Sequence, residues 1–215
     1  MNQKLFVQDV IHYSILVVKG GRMNIFYLHR SPKICAEMHC DKHVVKMILE
    51  SGQMLSTAHR VLDGEVVHTL SKNNRKIKKY RLENTHYDNL LYQACHVNHP
   101  SSIWVRESEH HYSYLMALFY WLNREYKHRY NNTHATYLKL HPYLNLLPLN
   151  IKKTGRFTPP PQAMPDECKD ANTLVAYRTY YMAKQDKFKM VWTRRKKPDW
   201  FLTKDDLSTR RENEH

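Results

Sequence analysis

Between Ser31 and Leu62 two patterns run at helical spacing through the same residues, and together they constrain the fold more than any other stretch. Val44, Met47, Ile48, Ser51, Leu55, Ala58 and Leu62 recur at intervals that place them on one face of a helix. His39, His43, Lys46, Glu50, Gln53, Thr57 and Arg60 recur at alternating fours and threes, which lines them along a second stripe. Ser31-Pro32 supplies an N-cap residue and a proline at the first helical position, and Asp63-Gly64 supplies the stop. The spacing predicts one long helix with its apolar face in a core. Its other face is either solvated or turned toward a ligand.

The rest of the chain reads as more helix around this one. Helices are expected from about Thr85 to Val97, from Ser101 to Tyr130, either continuous or broken near Ser108, from His134 to Leu147, and from Ala171 to Gln185. Leu115, Met116, Leu118, Phe119, Leu122 and Tyr126 recur at core spacing in the second of these. Residues 66 to 82 form a basic excursion, expected as a loop or loose hairpin. Pro159-Pro160-Pro161 to Pro165 reads as a stiff extended connector. The expected architecture is mainly α: a single-domain helical bundle over 23–201 with a basic loop insertion. Residues 1–22 are expected as an N-terminal extension or short β-hairpin, and 202–215 as a disordered charged tail. In the hairpin version, Ile11–Val18 turns at Lys19–Arg22 and pairs with Met23–Leu28. In the other version Met23 is an ancestral start.

Lys and Arg number 34 against 20 Asp and Glu, a formal charge of +14. Such an excess costs self-repulsion unless a polyanion offsets it. The 15 tyrosines interleaved with the cations suit bases as well as phosphates. No apolar run approaches the roughly 20 residues of a membrane span, and no small-residue cleavage site follows Val10–Val18. The expectation is a cytoplasmic protein with reduced cysteines, double-stranded DNA as partner, no cofactor and no obligatory protein partner.

Three constellations carry chemistry. His39 and His43 on one helix, with Cys95 and His99 on another, make a set from which a zinc site is conceivable. Cations proposed to meet phosphate are Arg60, Arg75, Lys76, Lys78, Lys79, Arg178, Lys184, Arg194 and Arg195, with Tyr180 and Tyr181 as stacking rings. Glu50 lies mid-stripe, one turn beyond Lys46 and two beyond His43. An anion on a DNA-facing surface opposes binding, so a glutamate there needs a reason such as stabilising charge at a sugar carbon.

Asp41-Lys42-His43-Val44-Val45 with Glu50 nine residues after Asp41 resembles the active-site helix of the bacteriophage pyrimidine-dimer DNA glycosylases, the endonuclease V family. Asn98-His99-Pro100 is similar to that family's Gly-His segment, and Tyr177-Arg178-Thr179-Tyr180-Tyr181 with Lys184 to its aromatic, basic C-terminal segment. The resemblance covers about 60% of the chain, with insertions at 64–84 and 131–170. It implies an all-helical fold without metal and a two-step reaction. A terminal α-amine attacks the sugar C1′ of a damaged nucleotide, a glutamate assists, and β-elimination cuts the strand. By resemblance Glu50 is that carboxylate, His43 its neighbour, and the terminal amine falls at Met23 or Asn24. An α-amine, with a pKa of about 7.7–8.0, is roughly 10–20% neutral at pH 7, which suits it to this task.

Two departures stand out. Twenty-two residues precede Met23, so in a chain starting at Met1 the amine comes from elsewhere, or Lys46 acts, or the lyase step is lost. The family's arginines beside the glutamate are Leu49 and Gln53 here. The leading expectation is a DNA repair glycosylase, with or without AP-lyase activity, acting on damaged bases in duplex DNA through an amine and Glu50. The competing ones are a non-catalytic DNA- or RNA-binding protein and a His/Cys metal-dependent nuclease.

Overall fold

A computed structural model describes residues 23–71, 73–153, 155–203 and 206. The fold is mainly helical, as the patterning predicts. In chain order the elements are α1 (Pro32–Met38), α2 (Asp41–Asp63), β1 (Glu65–Leu70), β2 (Lys76–Arg81), α3 (Thr85–Leu90), α4 (Pro100–Glu107), α5 (Glu109–Tyr130), α6 (Ala135–Leu144) and α7 (Thr173–Met182). No helix among the described residues is long and apolar enough to cross a membrane. The proposed N-terminal strand Ile11–Val18 and most of the charged tail fall outside the described residues. Met23–Leu28 is buried, has no regular secondary structure and joins no sheet among them.

The two long helices form the frame. The apolar face of α2 packs on α5, and α4 and α6 flank the pair. Val44, Met47, Ile48, Leu55 and Ala58 are fully buried, with Leu115, Leu118, Phe119 and Leu122 opposite them in one continuous core. Gly52 permits the close approach of α6. A Cβ there would lie 2.8 Å from Thr136 Cγ2 and 2.9 Å from Leu140 Cδ1, inside van der Waals contact.

The single helix expected from Pro32 breaks at His39–Cys40, both in extended backbone. A broken helix exposes orphan N–H and C=O groups, and here the C-terminal segment takes them up. The Cys40 N–H donates to the Tyr181 hydroxyl at 2.8 Å, the Asp41 N–H to the Val191 carbonyl at 2.8 Å, and the Trp192 indole to the Met38 carbonyl at 2.9 Å. These partners lie some 140–150 residues away in sequence, so local pattern does not reveal the break.

Elsewhere the differences are of boundary. The break at Ser108 is present, and the Ser108 hydroxyl caps α5 by accepting from the His111 N–H. α5 ends on Asn131 in the left-handed conformation at φ 53, a usual helix stop. α3 stops at Leu90, well short of Val97, because the following residues are drawn onto α2. The basic excursion is a true antiparallel hairpin, with Glu65 opposite Arg81 and Leu70 opposite Lys76. The proline-rich connector packs against the body: Pro161 O accepts from the Tyr177 hydroxyl at 2.7 Å, and Ala163 O accepts from the Asn24 side chain.

Candidate active site

The second stripe of α2 is buried, which corrects the expectation of a solvated or DNA-facing surface. His39, Thr57 and Arg60 are fully covered, His43 and Glu50 nearly so, and only Lys46 and Gln53 keep partial exposure. Two pieces of chain lie over it. Residues 23–28 cover the first half, where Phe26 stacks on the His43 ring at 4.7 Å. The stretch 80–95 covers the second, where Thr57 Oγ1 bonds both the N–H and the carbonyl of Cys95. Glu50 sits at the seam between the two covers.

Two nitrogens touch the Glu50 carboxylate. The Lys46 ammonium lies 2.9 Å from Oε1, one helical turn away, and the Asn24 main-chain N–H donates to Oε2 at 3.2 Å. Burial raises the Glu50 carboxyl above the ordinary carboxylate range, against the opposing pull of the Lys46 charge, the two bonds and His96. The Glu50 side chain is 2% exposed, whereas the Lys46 side chain is 19% exposed. Lys46, not Glu50, is therefore the group that faces the surface.

Asn24 holds this corner by local geometry. Its side-chain oxygen accepts from the N–H groups of Ile25 and Phe26, the latter at 2.8 Å, an Asx turn that leaves its own N–H aimed at Glu50. Phe26 pays for the turn with φ 49, an unusual conformation for a bulky residue and one that clusters at functional sites. Its ring completes an aromatic wall with Tyr180, Tyr181 and His43. Met23 is buried, its sulfur accepting from the Ser102 hydroxyl at 3.4 Å.

The surroundings of His43 disfavour its charged form. Burial, and then the charges of His39, Lys46, Lys184 and Lys42, press its pKa well below the ordinary value, and its Nδ1 finds no partner among the described residues. The rim around it is cationic: Lys184 lies 3.6 Å over the Tyr180 ring, and Lys42 lies 4.8 Å over Phe188. Phe26 and Lys42 are site residues that spacing alone misses. The signal for Lys42 is its place inside the Asp41-Lys42-His43 motif.

The metal alternative does not assemble. Among the described residues no three His, Cys, Asp or Glu side chains converge as a metal site. His39 is turned onto the Cys35 carbonyl, with its pKa lowered to about 4 by burial, and His99 caps α4 by accepting from the Ser101 N–H.

Several expected DNA contacts are also reassigned. Arg60 is wholly buried and bonds the carbonyls of Tyr80, Asp88, Leu91 and Tyr92 and the Asp88 carboxylate. It ties the covering segment down and cannot meet a phosphate. Tyr181 is a core ring bonded to Cys40, and Tyr180 lies beneath Lys184. Arg195 makes a two-pronged bond to Glu125 and a longer contact to Glu37. Arg178 donates to the Leu28 carbonyl and lies over Trp200. Arg194 is exposed and donates to the His128 carbonyl, while Arg75, Lys76, Lys78 and Lys79 are exposed on the hairpin. An open groove of about 370 Å³ lined by Tyr112, Met116, Tyr120, Trp121 and His141 includes none of the Glu50 cluster.

Comparison of the chain with protein-family models, with curated proteins and with solved structures returns no match.

Proposed function

We propose that this protein is a DNA glycosylase with lyase activity, working through an amine that the buried Glu50 holds. The observation that carries the reading is the Glu50 carboxylate at the seam of α2, with Lys46 Nζ at 2.9 Å and the main-chain nitrogen of residue 24 at 3.2 Å. The second nitrogen is an amide whenever residue 23 precedes it. It becomes an α-amine only in a chain that begins there. Lys46 is an amine in every form of the chain and is the group at the mouth of the site.

An amine attacks only when neutral, so a base beside it is required. Glu50 fills that role, and its raised carboxyl makes it a better proton acceptor than a solvated glutamate. The amine lone pair forms the bond to C1′ as the glycosidic bond breaks, and the base leaves with that bond's electron pair and takes up a proton. The nitrogen gives up one proton, its lone pair then opens the C1′–O4′ bond to form an iminium, and O4′ takes up a proton. Removal of a C2′ proton expels the 3′-phosphate and cuts the strand. Extrusion of the nucleotide costs least at a damaged step. His43, the Phe26–Tyr180 wall and the Lys42 and Lys184 rim supply rings and positive charge around the amine. The resemblance of the Asp41–Glu50 motif to the pyrimidine-dimer glycosylases favours the same chemistry.

Borohydride trapping on a lesion-containing duplex tests this, with chains starting at Met1 and at Met23. The Met1 chain is expected to form a covalent adduct that peptide mapping places on Lys46. The Met23 chain keeps residue 24 as an amide and places it on Lys46, or on the Asn24 α-amine where Met23 is removed. Strand cleavage with no trapped adduct in either chain overturns the amine mechanism. Duplex binding with neither cleavage nor adduct leaves the non-catalytic binder.

A further inference from the structure

The hairpin β1–β2 is the most strongly charged exposed element outside the site, and the site chemistry makes no use of it. Arg75, Lys76, Lys78, Lys79 and Arg81 are all exposed, against one carboxylate, Glu65, and none of the five forms an ion pair with a described acidic residue. The register sorts the side chains into two faces, since directly opposed residues in an antiparallel pair point the same way. Val67, Thr69 and Ile77 are half-buried and share one face with the exposed Glu65, Lys79 and Arg81. Val66, His68 and Leu70 share the other face with Tyr80, Lys78 and Lys76, and Val66 is 48% and Leu70 62% exposed.

We infer that this outer face is a ribbon that enters the major groove of double-stranded DNA, displaced along the duplex from the nucleotide at Glu50. Lys76 and Lys78 are two residues apart on one strand, about 6.8 Å, which is twice the roughly 3.4 Å phosphate rise along one DNA strand. A groove about 12 Å wide admits a two-stranded ribbon. The exposed Val66 and Leu70 suit thymine methyls. Charge excludes an acidic-poor protein surface as the better partner, and the alternation of cation and aliphatic side chains fits a groove better than a flat membrane.

The root of the hairpin is fixed relative to the site. Arg60 holds the Tyr80 carbonyl at 2.8 Å, and Arg60 and Glu50 stand on the same helix ten residues apart, about 15 Å. At about 3.4 Å per step that offset is on the order of four to five base pairs. This placement rests on the proposed role of Glu50, whereas the ribbon's affinity for duplex does not.

The test uses the triple variant Arg75→Gln, Lys76→Gln, Lys78→Gln in the full chain. On undamaged duplex the slope of log affinity against log salt is expected to fall by about 2.7, roughly 0.9 for each phosphate left unneutralised. The gap between wild type and variant should then shrink about 40-fold from 50 to 200 mM salt. On a duplex with a tetrahydrofuran abasic analogue, wild type should protect guanine N7 from dimethyl sulfate about four to five base pairs from the analogue, and the variant should not. An unchanged slope overturns the proposal. So does equal binding of duplex RNA that the variant weakens equally, since the deep, narrow major groove of RNA excludes a ribbon. Altered slope with no cleavage by wild type removes the glycosylase reading alone; cleavage with unaltered slope removes the ribbon alone.

Discussion

Replacing Arg60 with methionine keeps the side-chain volume but removes the guanidinium that ties residues 80–92 to α2. Its Nε donates to Tyr92 O at 2.7 Å, Nη1 to Tyr80 O at 2.8 Å and to the Asp88 carboxylate, and Nη2 to Asp88 O at 2.6 Å and Leu91 O at 3.0 Å. The arginine side chain is 0% exposed and that of Asp88 25%. Removing one member of a buried pair costs about 3–5 kcal/mol, because the partner keeps its desolvation without its compensation. Asp88 recovers some hydration at its exposed edge and still accepts from the Leu82 N–H, so about 4 kcal/mol is expected rather than the sum of the bonds. For a chain of this size that lowers Tm by on the order of 8–16 °C. Arg60→Lys retains the charge but has three donors for these acceptors in the wrong geometry, and should lose about half as much. Calorimetry and urea midpoints on both variants give the numbers. A loss below about 1 kcal/mol for Arg60→Met would refute the clamp.

Three further outcomes follow from the same geometry. Gly52→Leu places atoms where Thr136 and Leu140 already stand, and should cost about 1–3 kcal/mol by urea unfolding through the forced separation of α6 from α2. Desolvation pushes the Glu125 carboxyl up, but the bonds from Arg195 and Arg129 outweigh it and hold its pKa below the ordinary value. Its stabilising share is therefore present above the unfolded carboxylate range and lost as pH falls through the folded value, whereas Glu50 is raised and opposes folding as pH rises. Glu125→Gln should lower Tm at pH 7 and flatten its fall toward acid, while Glu50→Gln should leave Tm at pH 7 unchanged or higher. Finally, because His39, His43, Cys95 and His99 do not assemble, lesion-duplex cleavage should run at the same rate in excess chelator. A loss restored by zinc would bring back the metal-dependent nuclease.

Helix content, the core face of α2 and the break at Ser108 were legible because each rests on local spacing or a local cap. The burial of the second stripe was not. Polar residues such as His39, Thr57 and Arg60 read as surface until their partners are known, and those partners come from the Cys35 carbonyl, Cys95 and the carbonyls of 80–92. The same holds for the His39–Cys40 break, whose groups are satisfied by Tyr181, Val191 and Trp192. Of the site, Glu50, Lys46, His43 and Asn24 were named from the sequence and are brought together. Phe26 was not, because a left-handed backbone at a phenylalanine has no signature in residue type. Cations fared unevenly for a physical reason: Arg60 and Arg195 carry planar donor forks that suit buried carbonyls and carboxylates, while the hairpin lysines stay in solvent.

The most direct measurement is single-turnover cleavage of a lesion-containing duplex by Glu50→Gln, run beside its affinity for the same duplex. A carboxylate that serves as base to the attacking amine predicts a fall in rate of about 100-fold or more, with binding unchanged or tighter. Cleavage at the wild-type rate would leave Glu50 as nothing more than the partner of Lys46 and Asn24 in a folded corner.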